Sequence, residues 1–277
     1  MFVCVGFEEE REMKNGLTGL LLVACSMCVF AQNKVANQCL MSYDSVLKMH
    51  QLRGGFLIYD EHDSTLYSNQ FYMLDSMLSP ASTFKIYNAL QALDNKILLN
   101  ENDTLHWDGK MRRVEAWNRD LSLQDAFSAS AVWYFQELAR RSGKERMQHT
   151  VNMLDYGNKS VAGAIDSFWL NGTLLISARQ QLDLLRRLYH EQLPFNVESQ
   201  QTVKRIIKNN EPNLYGKTGW GMWQGKDLGW FIGWMEQESK PIFFVHILMA
   251  DEIPDNDFGQ LRRSMILEQI RCWLEKG

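Results

Sequence analysis

The 277 residues contain no Gly-x-Gly-x-x-Gly and no Gly-x-Ser-x-Gly, which disfavours a dinucleotide enzyme and an α/β-hydrolase. The six histidines are scattered, with no His-x-His and no His-Glu-x-x-His, so no metal site is indicated. Basic residues are in slight deficit: 29 Lys and Arg against 33 Asp and Glu give a formal charge of −4. No broad positive field is available for phosphates, and nucleic acid is excluded as an expected partner. Past the N-terminal region no apolar run approaches the roughly 20 residues of a spanning helix. There is no internal repeat, low-complexity tract or clear linker.

Cysteine is also sparse. Of five, Cys4, Cys25 and Cys28 fall at the N-terminus, leaving Cys39 and Cys272, neither of which belongs to a Cys-x-x-Cys. Either a bridge between the chain ends or two buried thiols fits the sequence. The N-terminus reads as an export signal that starts at Met13. Lys14 is its positive region, Leu17 to Val29 its apolar region, and Val29-Phe30-Ala31 its cleavage pattern. Residues 1–31 are thus expected to be removed, with 1–12 an untranslated extension. Leu22-Val23-Ala24-Cys25 offers a lipid-anchored alternative through Cys25. Export to a periplasm is the expected localisation.

With 45% hydrophobic residues the remainder, 32–277, can bury one large core. Gly55 to Tyr59 and Ser64 to Tyr67 read as a strand pair. Pro80-Ala81-Ser82 opens a helix whose apolar positions Phe84, Tyr87, Leu90 and Leu93 share one face. Leu121 to Arg141 and Ile176 to His190 carry helical spacing. Asn213 to Gly219, Leu228 to Met235 and Pro241 to Met249 read as an antiparallel meander, and Leu261 to Leu274 as a closing helix. The expected fold is α+β in α/β/α layers: an antiparallel sheet flanked by helices, with an inserted all-helical region over about 95–205.

Ser82-Thr83-Phe84-Lys85 places a hydroxyl and an amine one helical turn apart, so that Lys85 can reach Ser82. Alone the spacing is weak, since about one such pair arises by chance in a chain this long, and Ser45-Val46-Leu47-Lys48 is a second. The position of Ser82 at a helix start favours developing negative charge. Lys217-Thr218-Gly219 lies on an expected strand, where Gly219 would let the strand edge approach a ligand. Ser-x-x-Lys followed by Lys-Thr-Gly is shared by β-lactamases and penicillin-binding proteins. The Ser-Asp-Asn of that signature is missing, and Ser130-Ala131-Val132 stands in its place.

Taken with Trp107-Asp108-Gly109, Arg119-Asp120-Leu121, Tyr156-Gly157-Asn158 and Phe168-Trp169-Leu170, these motifs resemble the class D, oxacillinase-type serine β-lactamases from about Gly55 onward. The resemblance implies hydrolysis of a β-lactam amide bond through an acyl-enzyme on Ser82. It implies N6-carboxylation of Lys85 by CO2 as the source of the general base, with no other cofactor. A free lysine has a pKa of ~10.4, and burial is needed to hold it neutral. Val132, Phe135, Trp169 and Leu170 resemble the family's apolar wall, with the Trp169 indole donating to the carbamate. Ser130 and Lys217 would relay a proton to the leaving nitrogen, though Ser130 could instead cap a helix. Arg262 would grip the substrate carboxylate, with Arg263 as its rival. Ser82 and Trp220 N–H groups would form the oxyanion hole, and Thr218, Gly219, Trp220, Val132 and Leu170 would border the substrate. Asn158 reads as structural. Two alternatives remain: a sensor domain that is acylated without turnover, and a D,D-peptidase. Whether the protein forms a homodimer is left open.

Overall fold

Val, Ile, Phe and Trp dominate the expected strands on both faces, the pattern of a sheet covered on both sides. The computed structural model describes residues 39, 41–70, 73–237, 240–252 and 257–275. β1 (Arg53–Asp60) and β2 (Thr65–Ser68) form the first hairpin. β5 (Leu214–Trp223), β6 (Lys226–Gln237) and β7 (Lys240–Ala250) form the expected meander. β7 pairs antiparallel with β1, so one sheet of order β2-β1-β7-β6-β5 joins the two ends of the chain. The β5–β6 turn is the two residues Gln224 and Gly225, both at positive φ, as the twist of a tight hairpin requires.

A helix at residues 41–49, α1, and α7 (Phe258–Leu274) cover one face of the sheet, where Tyr43, Phe56, Phe231, Phe244 and Ile266 are buried together. The opposite face, with Trp230, Ile232 and Val245, packs under α2 (Lys85–Asp94) and α5 (Ala178–Tyr189). Between β2 and β5 the chain also forms β3 (Thr104–Leu105) with β4 (Leu121–Ser122), α3 (Leu123–Ser128), α4 (Val132–Met153) and α6 (Val197–Ile206). The expected layering is present, and the inserted middle is rich in helix, though the β3–β4 pair means it is not all-helical as expected.

One helix break and two helices differ from the sequence reading. The apolar spacing over Leu121 to Arg141 is not one helix: α3 ends at Ser128, and Ser130 at φ 53° turns the chain before α4. Periodicity survives a single residue in a left-handed conformation, so the break is invisible to it. α1 and α6 were not anticipated. α6 starts where the Asn196 side chain accepts the Ser199 N–H, a local cap with little apolar signal behind it.

The export segment, its cleavage point and Cys25 lie outside the described residues. Among the described residues no helix is long and apolar enough to cross a membrane. Cys39 and Cys272 are disulfide-bonded, closing a span of 233 residues with Cα atoms 6.2 Å apart. Long closed loops restrict the unfolded chain most. Cys272→Ser should therefore lower unfolding stability by about 2–5 kcal/mol. Denaturant titration would show it, and reduced parent protein should match the variant; equal stability of the oxidised parent and the variant would contradict this role.

Candidate active site

Pro80 holds its φ at −69°, and Ala81 follows at φ 47°, a region that side-chain-bearing residues rarely enter. The sharp turn leads into a 3-10 segment, Ala81–Phe84, before α2 begins at Lys85. Ser82 thus stands on a 3-10 turn and not at the first turn of an α-helix. In this geometry residues three apart eclipse one another. Lys85 Nζ lies 2.8 Å from Ser82 Oγ. The other Ser-x-x-Lys is a decoy, because Ser45 and Lys48 are exposed on α1 and Ser45 donates to the Met41 carbonyl.

The break between α3 and α4 brings a third polar residue in from 45 positions away. Lys85 Nζ donates to the Ser130 carbonyl at 2.7 Å and lies 3.0 Å from Ser130 Oγ. Lys217, from β5, lies 3.0 Å from the same Oγ. Ser130 is not a helix cap: α4 has no side-chain cap, and its N-cap residue is Ala131. The Lys85 amine sits over the Phe135 ring at 5.5 Å, and the Lys217 amine over Phe127 at 5.6 Å. Phe127 was missed in the sequence, where it reads as an ordinary apolar position of a helix.

Lys85 is fully buried and Lys217 nearly so. Burial, reinforced by the neighbouring Lys217, holds Lys85 well below the usual lysine range. Burial, with Arg262 and Arg263 nearby, brings Lys217 down to about 7. Among the described residues no ion pair includes Lys85, Lys217 or Arg262. Three basic side chains converge without a carboxylate.

Arg262 reaches the site from α7. Its guanidinium donates to the Gly219 carbonyl at 2.6 Å and the Gly259 carbonyl at 3.1 Å, and it lies 5.4 Å from the Trp220 ring centre. Trp220 is itself anchored by its indole N–H to Asp227 at 2.6 Å. Arg263 points elsewhere, to Asn209 and Glu211, which separates the two candidates. Ser82, Ser130, Val132, Thr218, Trp220 and Arg262 line a cavity of about 320 Å³. Val114 and Trp117 complete its wall and were absent from the sequence-based set.

Two of the residues expected to border the substrate also pack within the fold. A Cβ at Gly219 would stand 3.1 Å from the Pro80 carbonyl and 3.2 Å from Thr83 Cγ2. The glycine therefore lets β5 close on the turn that carries Ser82. Leu170 packs against the core and does not line the cavity. Asn158 is structural: it donates to the Thr173 carbonyl and accepts the Leu175 N–H, pinning one side of a loop to the other. That loop carries Trp169, fully buried and stacked on Phe84 at 5.8 Å. The Trp169 indole N–H is buried without a hydrogen-bond partner, an arrangement that costs free energy.

The lysine shifts have a consequence for stability. The folded protein releases the Lys217 proton near pH 7, whereas the unfolded chain keeps it to about 10.5. The unfolded state then binds more protons, so stability rises with pH across that window, at roughly 1 kcal/mol per pH unit from this group. Lys217→Met should flatten the rise in denaturant midpoint between pH 7 and 9, and an unchanged slope would refute the assignment.

Residues 41–270 match the family model described as the penicillin binding protein transpeptidase domain. The β-lactamase OXA-48 of Klebsiella pneumoniae is 34% identical over 233 residues, covering 83% of this chain and 87% of that protein. The probable β-lactamase YbxI of Bacillus subtilis (strain 168) is 38% identical over 234 residues, covering 83% and 85%. The crystal structure of FUS-1 (OXA-85), a class D β-lactamase from Fusobacterium nucleatum subsp. polymorphum, aligns with a TM-score of 0.78 at 34% identity over 83% of this chain and 96% of that one. With the Ser82, Lys85, Ser130 and Lys217 cluster and the five-stranded sheet behind it, this chain belongs to the class D β-lactamases.

Proposed function

We propose that the protein hydrolyses the amide bond of β-lactams through an acyl-enzyme on Ser82, using Lys85 in carboxylated form. The observation that carries this reading is the buried Lys85 amine, 2.8 Å from Ser82 Oγ and without a carboxylate partner. An ammonium cannot accept a proton, and the cluster holds no Asp, Glu or His to do so. A neutral amine has two N–H groups and one lone pair. The Ser130 carbonyl can only accept, so it takes one N–H, and the lone pair remains available. Carbon dioxide joined to that amine through its lone pair, with one N–H proton released to water, would supply a carboxylate-type base for both the Ser82 hydroxyl and a later water, and the unpartnered Trp169 indole N–H fits as its donor. The charges then balance, with Lys217 and Arg262 left to meet the carboxylate of the substrate.

The remaining residues act as follows. Ser82 Oγ bonds to the lactam carbonyl carbon, and the backbone N–H groups of Ser82 and Trp220 receive the charge that develops on oxygen. As the C–N bond breaks, Ser130 passes its proton to the nitrogen and takes a replacement through Lys217, 3.0 Å from its Oγ, from the carbamate that received the Ser82 proton, which frees the carbamate to act on water. Water then cleaves the ester and the hydroxyl of Ser82 is restored. Export is part of the same proposal, and the Cys39–Cys272 bridge supports it because disulfides persist in oxidising compartments.

A chromogenic cephalosporin in excess, with and without bicarbonate, provides the test. Sustained turnover raised by bicarbonate is expected; a single stoichiometric burst with a stable adduct would indicate a sensor, and turnover of cell-wall peptides alone would indicate a peptidase. Lys85→Ala should reduce turnover by about 10²–10⁴-fold, the scale of losing a general base. Trp169→Ala should chiefly slow deacylation, seen by mass spectrometry as accumulated acyl-enzyme.

A further inference from the structure

The face of the sheet away from the cavity carries a polar pair in an otherwise apolar layer. His246, on β7, is fully buried, opposite Phe231 of β6 and Phe56 of β1. Its Nδ1 lies 2.7 Å from the backbone carbonyl of Arg262, and its Nε2 lies 2.9 Å from the hydroxyl of Tyr43 on α1. A carbonyl only accepts, so Nδ1 carries the proton; Nε2 then offers a lone pair, and Tyr43 donates. Burial holds the imidazole at about 4 and pushes the phenol up, keeping this directional chain neutral. An apolar ring would fill the same place without the desolvation cost of two polar groups.

What the pair touches explains its presence. Arg262 is tied at its side chain to Gly219 of β5 and at its main chain to His246 of β7. α1 is in turn clamped to α7 by the Cys39–Cys272 bridge and by Gln269 donating to the Cys39 carbonyl. We propose that Tyr43 and His246 are positioning residues that set the height of α7 on the sheet, and thereby the guanidinium of Arg262 that receives the substrate carboxylate. The proposal rests on the β-lactam reading above. It assigns substrate affinity to residues on the far side of the sheet.

The test compares benzylpenicillin with its methyl ester, which lacks the charged carboxylate, on the oxidised full-length protein and on Tyr43→Phe and His246→Phe. Thermal unfolding confirms that each variant is folded, and Tyr43→Phe, which loses one oxygen, guards against failure of the other. KM for the acid should rise about three- to tenfold, the worth of one hydrogen bond. Its kcat should stay within about twofold, and both constants for the ester should be unchanged. Equal losses on acid and ester, or no change on either, would overturn the positioning role. If the parent protein is not acylated by either compound, the function reading itself falls and this proposal with it.

Discussion

A lysine amine buried beside a serine hydroxyl, with no carboxylate to neutralise it, is the constraint around which this protein is organised. An ammonium in such a place is strongly penalised, so burial, reinforced by Lys217, holds the group well below the usual lysine range and favours its uncharged form. The Phe135 ring lies beside it, and the Ser130 carbonyl accepts from it without competing for its lone pair. Stability is given up here for chemistry: hydrophobic side chains in place of Lys85 and Lys217 would be easier to bury.

The same site depends on pairings distant in sequence. Lys217 arrives because β5 closes on the turn at Ser82, an approach that Gly219 makes sterically possible. Ser130 arrives because the chain turns through a left-handed residue between α3 and α4. Arg262 arrives from the last helix, which lies on the sheet because β1 pairs with β7 and ties the two ends of the chain together. Loss of any one of these contacts leaves a partly satisfied polar cluster in a dry environment, which is costly. The cluster and the fold are accordingly coupled, and residues as remote as Tyr43 and His246 bear on the geometry of the cavity.

How far the sequence could be read follows from the range of each interaction. Strands and helices with sustained apolar patterns were legible, as was the proximity of Ser82 and Lys85, since a single turn enforces it. Ser130, Trp169 and Lys217 were named through motifs whose composition carries a family resemblance, without any view of the distances between them. Phe127, Val114 and Trp117 were missed because each looks like an unremarkable apolar position until the fold sets it against a charged amine or a cavity wall. For Gly219 and Leu170, expected beside the substrate, the structure adds packing that the sequence did not show: Gly219 makes room for the Ser82 turn, and Leu170 packs against the core.

By itself the sequence determined the α+β class, the pairing of a serine hydroxyl with an amine one turn away, and the absence of a metal or nucleotide signature, because these depend on local spacing and composition. Only the tertiary structure decided that Arg262 and not Arg263 faces the cavity, that Cys39 and Cys272 bond, and that Lys85 is fully buried, which lowers its pKa. Solvent exclusion and the direction of a side chain are properties of surroundings drawn from the whole chain, and no window of neighbouring residues contains them.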